Sequence, residues 1–221
     1  MTEQPGRRER KKREMRERVA DAAALLFAEH GYDAVSMASV AQAAGVAEQT
    51  VYNHFPTKPD LVLDLADDML ERSRRAVADR SQSVTPADAL RDMVHADIDH
   101  FVTEDPQLAR GEFPAQSVES PVLRRYALHF RHQQAEAIAE AICETDPETN
   151  PLVARAHATA LVTVLQAITD RVGAAILEEA DVTAVAQALH EDADVALTDA
   201  SENFRATKAR AAAAAAATTA D

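Results

Sequence analysis

From Arg16 to Phe204, apolar side chains return every three or four residues, the step that lines one face of an α-helix. Only 5 glycines and 9 prolines punctuate the 221 residues. Much of the 47% hydrophobic content is alanine, the residue with the best intrinsic helix propensity, and aromatics make up 4%. An all-α chain is therefore expected, with helix ends readable from the glycines, prolines and capping hydroxyls.

The first helix runs from about residue 15 through Val19, Ala22, Ala23, Leu26 and Phe27, and stops at Gly31. Ser36 is a good N-cap for a two-turn second helix with Met37, Val40 and Ala41 inward, closed by Gly45. Residues 48 to 55 form a third helix. Val51 and Phe55 share one face of it, and Gln49, Thr50, Asn53 and His54 point away. Pro56 breaks this helix, Thr57 caps the next start, and Leu61, Leu65, Met69 and Leu70 begin a fourth helix reaching about Arg80. Thr85-Pro86 opens a fifth. A short helix and loop fill residues 106 to 118, Pro121 starts a helix to Cys143, Pro151 starts one to about Ala180, and a last helix covers Val182 to Ala206, about nine in all. The domains expected are a flexible basic arm over residues 1–14, a helix-turn-helix over 15–60, a ligand-binding and dimerisation domain over 61–207, and a disordered Ala-rich tail over 208–221.

The net charge of −14 is unevenly placed. Residues 1–60 hold 9 basic and 9 acidic side chains, whereas residues 61–221 hold 14 and 28. Within residues 7–18, eight basic residues including Lys12 face only Glu9, Glu14 and Glu17. Such a run is either a solvated helix face or the end of the molecule that turns toward a polyanion. No apolar run approaches the roughly 20 residues that span a bilayer. The charged start lacks a signal core, so a cytoplasmic protein with no membrane association is expected. The single Cys143 has no partner for an intrachain disulfide and reads as a small apolar residue.

Two short helices around a glycine turn, the second polar outside, form the arrangement that sets a recognition helix in the DNA major groove. The octet Val51-Tyr52-Asn53-His54-Phe55-Pro56-Thr57-Lys58 resembles the Tyr-x-x-Phe-x-x-Lys signature of the tetracycline-repressor (TetR) family. Phe27 to Tyr32 is similar to that family's Phe-x-x-x-Gly-Tyr, and Ser36 to Val46 to its Thr-x-x-x-Ile-Ala-x-x-Ala-Gly-Val. The likeness covers about residues 15 to 65. It implies a homodimer joined mainly through the last two long helices, double-stranded operator DNA as partner, a small-molecule effector, and repression by release from a pseudo-palindrome; activation, or an adaptor that has lost operator binding, are the alternatives. It also implies that Tyr52 and Lys58 hold phosphates, with Ser36 and Met37 doing so at the start of the second helix. Gln49, Thr50 and Asn53 are candidates for base edges, and His54 for base or phosphate. Lys12 and the basic arm would enter the minor groove or add phosphate contacts. Ala47 departs from the family's frequent capping serine, and Glu48 brings a negative charge toward DNA.

Polar residues on apolar helix faces are the best pointers to an effector pocket, because burying them is costly without a partner. Asp97, His100 and Phe101, then Tyr126, Phe130 and Gln133, with Gln134 beside them, and His157, Leu161 and Leu165 are the candidates for an amphipathic ligand; internally bonded core groups are the other reading. No cofactor is expected. His129 with His132, or Asp97 with His95 and His100, have spacings that suit a metal, but no second motif supports either set, and no nucleophile elbow, phosphate loop or dinucleotide fingerprint occurs, so neither a metal site nor an enzyme is expected.

Overall fold

Helices account for the regular structure throughout the computed structural model, which describes residues 6–63 and 66–218. Ten α-helices follow in order: α1 Arg7–His30, α2 Met37–Ala43, α3 Glu48–His54, α4 Ala66–Ala78, α5 Pro86–Thr103, α6 Pro106–Gly111, α7 Phe113–Glu119, α8 Pro121–Thr145, α9 Pro151–Leu177 and α10 Val182–Thr218. Two 3-10 turns, Tyr32–Ala34 and Pro59–Leu61, lie among them. One helix more than expected appears because residues 106–118 form two. Asp105 caps α6 by accepting from the Gln107 amide at 2.8 Å, and Glu112 then breaks the run before Pro114 sits in the first turn of α7. The expected fourth helix starts later, at Ala66, after the Pro59–Leu61 turn; Leu65 lies outside the described residues.

The chain divides into two units. The first gathers the amino-terminal helices with Glu104–Tyr126 and Val172–Ala180; the second holds Ala66–Thr103, Ala127–Arg171 and the chain from Asp181. The expected single cut near residue 60 is thus replaced by an interleaved one, because α6 packs onto α1 and α7 is bonded to it. Gln116 explains the attachment. Its buried amide accepts from the Tyr32 N–H at 2.8 Å and donates to the carbonyls of Phe27 at 3.2 Å and Arg110 at 2.7 Å. A buried amide with three such partners is a strong specifier of position.

In this first unit Val19, Ala23 and Phe27 recur four apart and are fully buried, meeting Val40, Val51, Phe55 and Leu123. Each large side chain so buried contributes roughly 1.5–3 kcal/mol. Phe27 and Tyr32 place their ring centroids 5.3 Å apart. Gly31 with φ 76° and Gly45 with φ 64° make the two turns that side-chain-bearing residues rarely adopt. The expected flexible arm over residues 1–14 is a correction: α1 begins at Arg7. Glu9 accepts from the Gly6 N–H at 3.2 Å, and Arg10–Glu14 at 3.6 Å and Arg13–Glu17 at 3.5 Å are i,i+4 pairs that favour the helix. Residues 1–5 lie outside the described residues.

In the second unit α5 lies against α10. Thr85 caps α5, accepting from the Asp88 N–H at 3.2 Å, while Ser201 of α10 donates to the Asp88 carboxylate at 2.9 Å. Ser73 of α4 is buried and accepts from Gln134 of α8 at 2.9 Å. The last helix continues to Thr218, which corrects the expected end near Ala206 and the disordered tail over 208–221. Alanine needs no packing partner to remain helical once a long helix has been nucleated. Residues 219–221 lie outside the described residues. By length and composition α9 passes as apolar enough to cross a membrane, as the core helix of a soluble protein can, although Thr, Gln, Arg and Asp interrupt its apolar residues. Only 28% of its most apolar window is buried.

Candidate nucleic-acid interface

The geometry of α3 follows from two residues. Val51 and Phe55 are fully buried, so the opposite side of the helix faces outward. Gln49, Tyr52 and Asn53 lie exposed on it, with Thr50 half-buried at its edge. Gln49 Nε2 donates to Asn53 Oδ1 at 3.1 Å, which aligns the two amides one turn apart. Tyr52 leaves 41% of its surface open. Glu48 sits exposed in the first turn, where the helix dipole favours a negative charge, and the N-cap Ala47 supplies no side-chain bond.

His54 closes this helix. Its carbonyl accepts from Arg16 at 2.6 Å, and the Arg16 guanidinium lies 4.4 Å from the Phe55 ring centroid. Burial first, then the charges of Arg16 and Lys12, pull the His54 ring below its ordinary pKa, so it is neutral at neutral pH. Its Nδ1 is buried with no hydrogen-bond partner among the described residues. Lys58 places Nζ 4.3 Å from the Tyr32 centroid and donates to the Asp33 carbonyl at 3.3 Å; burial lowers its pKa against the opposing pull of Asp33.

At the start of α2 the Ser36 hydroxyl accepts from the Ser39 N–H at 3.0 Å, and Ser39 donates back to the Ser36 carbonyl at 2.7 Å. Ser36 is therefore a cap before anything else. The Met37 side chain is buried in the core, leaving only its backbone amide at the helix start. Lys12 is exposed on α1, near enough to His54 to act on its charge.

Arg16, Tyr32 and Gln116 were not among the expected site residues. The first two hold the end of α3 and Lys58 in place. Their signal in the sequence was only the cation spacing relative to distant aromatics, which has meaning once the chain has folded.

A family profile described as bacterial regulatory proteins, tetR family, matches residues 19–65, which contain this whole arrangement apart from the Arg16 and Lys12 supports. Over residues 19–65 the chain is similar to the TetR family. Its similarity to the transcriptional repressor KstR of Mycolicibacterium smegmatis is 40% identity over 60 residues, 27% of this chain and 29% of KstR. To the repressor LfrR of the same species it is 34% over 95 residues, 42% of this chain and 47% of LfrR. The matched segments thus span less than half of these curated relatives. Among solved structures, the SmeT–triclosan complex superposes with a TM-score of 0.57 at 20% identity, over 85% of this chain and 90% of SmeT, a likeness of fold.

The nine effector candidates are not gathered into one cavity among the described residues. Asp97 pairs with Arg72 on the surface, His100 and Gln133 are exposed, Phe101 is core, and Phe130 and Leu165 are partly buried. Of the two glutamines expected on the inward side of α8, Gln134 is buried and Gln133, a third of a helical turn away, is exposed. Tyr126 is 43% exposed and belongs to the other unit. Among the described residues His157 and Leu161 line a cavity of about 10 Å³ with Pro86 and Phe204, too small for more than one water. A cleft of about 380 Å³ lies between α8 and α9, lined by Leu128, Arg131, Ala135, Arg155 and Val162 among others, and none of the nine lines it. Two of the histidines with metal-like spacing have other partners. His132 bonds to Arg155 at 3.0 Å, and His95 turns its Nδ1 to that of His190 at 2.5 Å.

His157 packs edge-on against Phe204, ring centroids 5.1 Å apart, and burial lowers its pKa. A histidine whose folded pKa lies below its unfolded value adds stability that is complete above about pH 6.5 and lost as pH falls from there toward the folded value. Urea midpoints measured from pH 8 to pH 5 should therefore fall less steeply for His157→Leu than for the parent. Parallel curves would mean that the ring titrates as if exposed.

Proposed function

We propose that this chain is a ligand-responsive transcriptional repressor that binds a pseudo-palindromic operator as a homodimer. The observation that carries the reading is the outward face of α3: Gln49, Thr50, Tyr52 and Asn53 are held in one orientation by the burial of Val51 and Phe55. A helix so presented fits the major groove, with Gln49 and Asn53 suited to adenine edges, Thr50 to a thymine methyl, and Tyr52 to a phosphate. Lys58 reaches phosphate by leaving its seat on Tyr32, and neutral His54 serves as a hydrogen-bonding group rather than a charge. The acidic body would keep nonspecific affinity low.

The uncovered apolar surface of α9 supports the dimer. Leu152 is 81% exposed, and Val195 of α10 is 72% exposed. Pairing these two helices with their copies would bury both, set two recognition helices about one DNA turn apart, and place the protein in the cytoplasm rather than in a membrane. The triclosan held by SmeT favours a small-molecule effector, which would act by favouring a dimer whose half-site spacing is wrong.

Selection of genomic DNA fragments by the purified protein tests the reading. A palindrome should be recovered, and Tyr52→Ala, at an exposed position that leaves the fold intact, should weaken binding to it about tenfold or more per half-site. No enriched sequence from folded dimer would overturn operator binding and favour the adaptor.

A further inference from the structure

The amino-terminal extension of α1 is helical from Arg7 and has two different faces. Arg10 and Arg13 lie on one side, each paired with the glutamate four residues on. Arg8, Lys12 and Arg16 lie on another, at i, i+4 and i+8, with Arg8 and Lys12 exposed and without an acidic partner among the described residues. This second column continues the face that further along buries Val19, Ala23 and Phe27, so it overhangs the helix-turn-helix rather than pointing away. Its direction is fixed at one end. Arg16 is bonded to the His54 carbonyl at the carboxyl end of α3, and Lys12, one turn further, still acts on the His54 ring. Arg8 stands another turn, about 5.4 Å, beyond.

We propose that Arg8 and Lys12 form a preset phosphate-binding track that follows the DNA backbone bordering the groove occupied by α3, an inference that rests on α3 being the recognition helix. A recognition helix leaves a phosphate strand on each side of a groove about 12 Å wide, and a basic column starting at the end of that helix meets one of those strands. Because the column is helical, it lies along the backbone and does not thread into the minor groove as an extended arm would. Its contacts carry no base information. They add counterion release, and the glutamate pairs on the other face spare it from nonspecific polyanion binding all round.

The test is the slope of log K against log salt, measured on the selected operator and on random-sequence duplex. Each neutralised phosphate contributes about 0.9 to the slope. Arg8→Gln with Lys12→Gln should lower it by roughly 3 to 4 per dimer on both DNAs, with the same operator preference. Arg10→Gln with Arg13→Gln should change it by less than about 1. Glu14→Pro keeps every basic residue and allows the helix to restart at the proline, so it should lower the slope relative to Glu14→Ala by uncoupling the track. Equal losses from both pairs, or no loss from Glu14→Pro, would mean diffuse attraction by a charged arm and would overturn the track. An unchanged slope in the Arg8 and Lys12 variant, with operator binding intact, would overturn it while leaving the repressor reading standing. Failure of the parent to prefer any sequence would remove that reading instead, and the random duplex would still report whether the two faces differ.

Discussion

Gly111→Ala is expected to destabilise the first unit by about 3 kcal/mol or more. A Cβ built at Gly111 would lie 1.8 Å from the Ala24 carbonyl oxygen and 2.7 Å from its Cα, both backbone atoms of α1. Nothing there is the flexible end of a side chain, so the methyl can be accommodated only by lifting α6 off α1. The strain differs in kind from that at Gly45. Gly45 has φ 64° and open space around the missing Cβ, so its alanine variant meets only the left-handed backbone cost of roughly 1–2 kcal/mol. Melting followed by helical ellipticity should show Gly111→Ala falling on the order of 6–12 °C below the parent and clearly below Gly45→Ala. A Gly111→Ala midpoint at or above that of Gly45→Ala would show that α6 is not seated on α1.

This contact also shows where the sequence was legible. The helix-turn-helix could be read because each of its signals acts over a few residues: Gly31 and Gly45 for the turns, Ser36 for the cap, Val51 and Phe55 for the inward side of α3. The attachment of α6 and α7 could not be read, since Gln116 finds its partners 84 and 89 residues back at Tyr32 and Phe27, and a Pro- and Gly-broken stretch looks like a loop from within. The helix before Arg16 was legible in principle. Its Arg10–Glu14 and Arg13–Glu17 pairs are in the sequence, but hydrophobic periodicity says nothing about a helix with no apolar face. Polar residues on helical faces acquire partners that only packing decides: Asp97 found Arg72, and Gln134 rather than Gln133 found Ser73.

The second large effect belongs to Asp146. With side chains 3% and 9% exposed, Arg80 and Asp146 form a buried ion pair where the end of α4 meets the end of α8. Arg80 also donates to the carbonyls of Val77 at 2.5 Å and Val84 at 3.2 Å and to the Thr145 hydroxyl at 2.6 Å, and Lys208 of α10 pairs with the same aspartate. Asp146→Ala leaves a guanidinium buried without its counter-charge, which costs about 3–5 kcal/mol, or on the order of 10 °C in melting temperature. The pair itself need not be strongly stabilising, because its formation removes two charges from water. The double variant Arg80→Met with Asp146→Leu should therefore recover most of the loss, an outcome that no surface ion pair would give. Salt separates the cases further. An exposed pair weakens across 0.05–0.5 M salt, on the order of a shrinking Debye length, whereas the gap between Asp146→Ala and the parent should stay nearly constant if the carboxylate acts from within the fold. A loss below about 1 kcal/mol for Asp146→Ala would place Arg80 in contact with water. Then Arg80 would be held by the carbonyls of Val77 and Val84 and the Thr145 hydroxyl, and Asp146 would add little to the junction of α4 and α8.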